Sequence, residues 1–138
     1  MIRFRMDRIS VEQFAMLSDN IPEGGMTLAT GLEFQISGDG QTVACKAKFT
    51  FADSAEAPKL MLELRCEFAI HSDDAASFSK DGKTAIPPSV LKLFAMHTVG
   101  TARGVLFAKT EGSPWSAAIL PPINVDQMID EMEANAEK

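Results

Sequence analysis

A chain of 138 residues with 46% hydrophobic and 23% charged side chains has the make-up of one folded domain, and is long enough to bury about two-thirds of its unfolded surface. The net charge of −6 is diffuse: residues 1–70 hold 7 basic and 10 acidic side chains, residues 71–138 hold 6 and 9, so no Lys/Arg patch awaits a nucleic-acid backbone. No apolar run approaches the ~20 residues that span a bilayer, the opening Met1-Ile2-Arg3-Phe4-Arg5-Met6-Asp7 lacks the apolar run of a signal peptide, and two cysteines are too few for a secreted disulfide framework. The expectation is a single cytoplasmic domain over residues 1–138, without membrane insertion.

Residues 2–16 read as a strand with a fault in it. Ile2, Phe4 and Met6 share one face, while Ile9 and Val11 continue on the opposite parity, so the switch near Asp7-Arg8 predicts a β-bulge. Asn20-Ile21-Pro22-Glu23-Gly24-Gly25 is a loop by composition. Residues 26–36 set Met26, Leu28, Leu32, Phe34 and Ile36 against Glu33 and Gln35. The tight turn Ser37-Gly38-Asp39-Gly40 leads into a third strand, where Val43, Cys45, Ala47, Phe49 and Phe51 oppose Lys46 and Lys48. After a loop over 53–58, Leu60, Leu62, Leu64, Cys66, Phe68 and Ile70 alternate with Met61, Glu63, Arg65, Glu67 and Ala69. Four strands on short loops predict an antiparallel meander with one buried face.

Residues 71–85 are rich in Ser, Asp and Lys and read as a mobile loop. A helix starts at Pro87 or Pro88, with Ser89 near its cap. Its apolar stripe is Leu91, Phe94, Ala95, Thr98, Ala102, Val105 and Leu106, at helical spacing. Gly100, Gly104 and Ala108 make a second stripe of small residues; two interior glycines cost about 2 kcal/mol of helix propensity, which a closely packed neighbour, sheet or helix, would offset. Glu111-Gly112-Ser113-Pro114 ends this helix, residues 115–123 read as an extended link that Pro121-Pro122 keeps out of any ladder, and Asn124 with Gln127 opens a last helix. There Val125, Met128, Ile129 and Met132 face inward, with Asp130, Glu131, Glu133 and Glu137 outward. The fold class is therefore α+β: a four-stranded antiparallel sheet, a long helix on one face, and a short C-terminal helix.

No nucleophile has a general base at a telling spacing, tyrosine is absent, and only His71 and His97 could join Cys45 and Cys66 as zinc ligands, without ligand-like spacing. The two cysteines read as buried small hydrophobes. No enzyme activity, metal or cofactor is expected. The eight methionines suit surfaces that re-pack around different partners, and ordinary core filling uses them equally well.

Three patches carry a family resemblance: Phe4-Arg5-Met6-Asp7-Arg8-Ile9; Cys66-Glu67; and the ordered series of Pro88-Ser89-Val90-Leu91, Arg103-Gly104-Val105 and Leu120-Pro121-Pro122-Ile123-Asn124-Val125-Asp126. In these, and in the order of its elements, the chain resembles the SecB family of export chaperones. The resemblance spans nearly the whole chain as organisation, with sparse identity before Pro88. It implies an ATP-independent holdase for unfolded or extended polypeptide, assembled as a homotetramer (a dimer of dimers), with SecA as partner for exported clients. Glu67 matches a SecA-docking acid of the family, but Gln13 and Leu17 stand where further acids are expected. Phe94-Ala95-Met96 replaces the family's phenylalanine-proline-tyrosine. SecB-like proteins serving antitoxins share this architecture, so a dedicated binding module is the alternative. The client groove is expected at Phe14, Met16, Met96 and Trp115, and the oligomer contact at Gly100, Gly104 and Ala108.

Overall fold

The computed structural model describes residues 1–22 and 24–136. The alternating segments form four long strands, β1 (Phe4–Met16), β2 (Thr27–Ile36), β3 (Thr42–Ala52) and β4 (Pro58–Ile70), in one antiparallel sheet ordered β1-β4-β3-β2. Only β2, β3 and β4 form a meander; the expected four-strand meander is corrected by β1, which lies on the far side of β4. The connection over residues 17–26 is too long for a hairpin and carries the chain across three strand spacings, about 14 Å.

β1 has two faults, where its sequence pattern suggested one. The register with β4 shifts between Met6 and Arg8 and again between Val11 and Gln13, so Asp7 and Glu12 are the extra residues. Each bulge flips the side-chain parity, and two restore it. Phe4, Met6, Ile9, Val11, Phe14 and Met16 thus oppose Ile70, Phe68, Cys66, Leu64, Leu62 and Leu60, all on one face of the sheet.

That face is the core. Leu60, Leu62, Leu64, Cys66 and Phe68 of β4 and Val43, Cys45, Ala47 and Phe49 of β3 are all but sealed from solvent. The helix α2 (Pro88–Thr110) packs over β3 and β4 through Leu91, Phe94, Ala95, Thr98, Ala102 and Leu106, largely the stripe its sequence predicts. Phe94 stacks flat on Phe68 with centroids 4.2 Å apart, and Phe4 meets Phe94 edge-on at 5.0 Å. Buried Thr98 and Thr110 hydroxyls donate to the carbonyls of Phe94 and Leu106, so neither is left unpaired. The N-terminus of α2 rests on Pro88 at the first turn, with Pro87 as cap; no side chain caps it, so Ser89 does not do so.

Residues 71–85 are structured, contrary to the loop expected there. They form α1 (Ser72–Ser77) and a small hairpin of β5 (Ser79–Lys80) and β6 (Lys83–Thr84). His71 caps α1 by accepting from the Asp73 amide, and Asp74 accepts from the Arg3 backbone and side chain, tying α1 to the start of β1. The hairpin seats on the β2–β3 turn at Gly40, whose φ is +73° and where a Cβ would meet Thr84 Cγ2 at 2.7 Å; only glycine fits both demands.

Beyond α2 the chain turns at Trp115 instead of extending from it, the Ala118 amide donating to the Trp115 carbonyl. Arg103 then holds the link, donating to the carbonyls of Leu120 and Pro121. The helix α3 (Val125–Ala136) begins where the Asn124 side chain accepts from the Gln127 amide, and it packs on α2 through buried Val125 and Ile129. Lys92 of α2 reaches Asp130 at 2.9 Å and Asp126 at 3.8 Å, fixing the helix pair from the solvent side. Met132 is exposed, not inward, and Glu137 lies outside the described residues.

Candidate functional site

β1 leaves part of the core face uncovered. α2 meets β1 at two places: Phe4 lies against Phe94 and His97, and the Lys109 ammonium sits 5.4 Å above the Phe14 ring. Between them and just beyond, Ile9, Val11 and Met16 are 51%, 41% and 43% exposed, although each pairs with a buried β4 residue. The core face of the sheet therefore runs out past its helix as an apolar shelf of Ile, Val, Phe and Met side chains, about 20 Å long. Exposed contiguous apolar surface of this kind marks interaction sites, whereas single exposed hydrophobics do not.

A second apolar surface lies on the outward side of α2. Met96 and Phe107 are 61% and 59% exposed, Leu93 is half-buried, and Gly100 and Gly104 stand between them with nothing within 4 Å of where a Cβ would be. The sheet is thus not the close neighbour that the glycines admit; they face away from it. Ala108 is exposed one turn beyond Gly104. Leu93, Gly100 and Phe107 recur every seven residues, the period of a helix seam.

The expected groove residues divide accordingly. Phe14 and Met16 lie together on the β1 shelf. Met96 lies on the outward side of α2, away from them. Trp115 corrects the expectation outright: it is 0% exposed, its indole N–H donating to the Ser18 carbonyl at 2.6 Å, so it is a core side chain pinning the end of β1. Ile9, Val11 and Phe107 were missed as surface residues. For Phe107 the signal is the seven-residue spacing from Gly100; for Ile9 and Val11 the pattern gives only the core face, not whether the helix covers it.

Glu67 sits on the opposite face of the sheet, in an ion pair with Arg65, which also reaches Gln35. On the same face Lys46 pairs with Glu63 at 3.3 Å, and Arg8 stands in register with Glu67. This face is a mixed-charge ladder. A hollow of about 560 Å³ opens beside Arg3, Arg5, Asp7, Gln41 and His71, and its arginines are already matched by Asp74 and Asp7.

Cys45 and Cys66 stand opposite each other in the β3–β4 register, both free and buried. Burial pushes the Cys45 thiol up to about 11 and raises Cys66 too, which favours the neutral thiol at both positions. Among the described residues, no helix is long and apolar enough to cross a membrane.

No family model matches the chain, and no curated protein does. Among solved structures it is similar to a SecB-like chaperone of Mycobacterium tuberculosis in complex with a ChAD peptide from the HigA1 antitoxin, at 17% identity over 88% of this chain and 87% of that one, with a TM-score of 0.51. A protein of unknown function from Streptococcus agalactiae superposes more loosely, at 10% identity and a TM-score of 0.38 over 80% of this chain and 90% of that one. With a four-stranded antiparallel sheet under a long helix and a short C-terminal helix, the chain has a SecB-like fold.

Proposed function

We propose that this protein is a cytoplasmic, ATP-independent chaperone of the SecB-like kind, a holdase that keeps unfolded or extended polypeptide on the β1 shelf. The observation that carries this reading is the ladder of exposed Ile9, Val11 and Met16 with half-buried Phe14 among them, part of a core face that its helix does not fully cover. Apolar burial is non-directional, so such a shelf accepts many sequences. A client chain burying about 300 Å² there gains about 7 kcal/mol before ordering costs are met, enough for reversible holding. Self-association through Met96, Gly100, Gly104, Ala108 and Phe107 would cover the outward face of α2 and supply one of the two contacts that a dimer of dimers needs.

SecA is the less favoured partner. Glu67 would have to leave Arg65, and the face around it carries Arg8, Lys46 and Lys48 in place of a field of acids. The second reading, a module dedicated to one partner such as an antitoxin, is favoured by the peptide held by the mycobacterial structural neighbour.

Dilution of a denatured model protein into buffer without ATP tests the proposal. Near-stoichiometric amounts of the protein should suppress light scattering, and Val11→Asp should abolish this while leaving the fold intact. Equal binding to folded and unfolded chains would sink the holdase reading. Saturation by one partner, with indifference to several unrelated unfolded proteins, would favour the dedicated module.

A further inference from the structure

The other edge of the sheet is built differently, and its open groups are those of the backbone. β2 pairs with β3 from Thr27 to Ile36 without a single register shift. The Ser37 amide donates to Thr42, which fixes the parity of that ladder. Thr27, Ala29, Gly31, Glu33 and Gln35 spend their backbone groups on β3, and Leu28, Thr30, Leu32, Phe34 and Ile36 turn theirs to the free edge. β2 is the terminal strand of the sheet. Long edges are ordinarily blunted by Lys, Pro or a bulge, and β2 has none of these; Glu33, its one charged residue, stands opposite Lys46.

We propose that the β2 edge takes up an extended polypeptide segment as a fifth strand, with an acidic side chain at the position opposite Gly31. This rests on the polypeptide-binding reading above and gives it a second, backbone-directed site. The incoming residues beside Leu28, Leu32 and Phe34 would be apolar, since those side chains are half-buried against the core and a neighbour would complete their cover. The acidic position follows from charge and space. Gly31 leaves a recess of about 210 Å³ on the mixed-charge face, bordered by Leu32, Glu33, Lys46, Lys48 and Glu63. Lys48 stands directly across from Gly31, is exposed, and has no ion pair among the described residues, because Glu63 is taken by Lys46. A glutamate on an added strand lies two strand spacings from Lys48, about 9.6 Å, and with no side chain at Gly31 the two can meet across the gap.

Two labelled peptides of about ten residues test this, with alternating valine and threonine and a central glutamate or lysine on the threonine face. Anisotropy should show the glutamate peptide bound more tightly, with Lys48→Glu reversing the order. Thr30→Pro removes an edge N–H without touching the β3 ladder and should weaken binding at least tenfold; a thermal melt checks that it folds. Independently of any variant, N-methylation of one alternate set of peptide amides should abolish binding and methylation of the other set should not. Equal effects of the two sets, unaltered binding by folded Thr30→Pro, or no reversal with Lys48→Glu would overturn the proposal. So would a β2-to-β2 dimer of the protein that binds neither peptide. Capture of a denatured protein by wild type and Thr30→Pro alike, with no peptide bound, overturns the edge site and leaves the holdase reading standing. Peptide binding by a protein that ignores denatured chains does the reverse.

Discussion

The two edges of this sheet answer opposite demands. β1 is interrupted twice, at Asp7 and Glu12, and both interruptions break the row of backbone groups that another strand would copy. The same bulges bring Phe4, Met6, Ile9, Val11, Phe14 and Met16 onto one face, so this edge offers side chains. β2 keeps an unbroken ladder from Thr27 to Ile36, so that edge offers amides and carbonyls. One sheet thus presents apolar side chains along one edge and open backbone groups along the other. The difference comes from two extra residues in a strand of 13.

That contrast is broken most severely by loosening β1 from its helix. Phe94 is fully buried, stacked on Phe68 and met edge-on by Phe4. Phe94→Ala should cost about 3–5 kcal/mol by denaturant unfolding, and proteolysis within β1 should accelerate with it. The other end of β1 hangs from Trp115, whose indole N–H reaches the Ser18 carbonyl. Trp115→Phe keeps most of the apolar volume and removes the donor, so a loss of about 1–3 kcal/mol is expected. Client holding should weaken as the shelf loses its fixed shape, while peptide capture at β2 stays unchanged. Parallel loss at both edges would show that the two surfaces are not separable.

Much of this was legible in the sequence, and the failures have physical causes. β2, β3 and β4 follow strict alternation because they bury one face regularly, and α2 shows its stripe because one side of it packs on β3 and β4. Strand order was not legible: alternation says which face is buried and nothing about which neighbour lies beside it, so β1 was placed next to β2. The second bulge is hidden because Phe14 and Met16, expected in the client groove, need not share the core face of Ile9 and Val11. Trp115 reads as a groove residue because the strand pattern of the sheet core leaves no place for it; its indole N–H meets a carbonyl 97 positions away, a partner that local pattern does not reveal. Residues 71–85 are held by Arg3 and Gly40, contacts too distant in sequence for local composition to reveal.

The smallest expected effect concerns how β1 begins. The Arg3 side chain, then the Arg3 amide, hold the Asp74 carboxyl below its ordinary 3.8. A carboxyl with a depressed folded-state value adds stability that is complete above its unfolded value and is lost as the pH falls through the folded one. Wild type should therefore exceed Asp74→Asn in melting temperature at neutral pH, with the gap closing as the pH drops below about 3.8. Asp39 is also held low, first by the Ser37 hydroxyl and then by the Gln41 amide, but it serves the β2–β3 turn. Asp39→Asn should show the same convergence in acid, and the two substitutions should part company at the edges. Asp74→Asn loosens the start of β1 and should raise exchange at the Arg5 amide, which the register turns toward β4. Asp39→Asn should leave that amide alone and act on the turn that sets the β2 register. A pH-independent gap for Asp74→Asn would mean that α1 is held to β1 by packing at Ala75 and not by the Arg3 carboxylate pair.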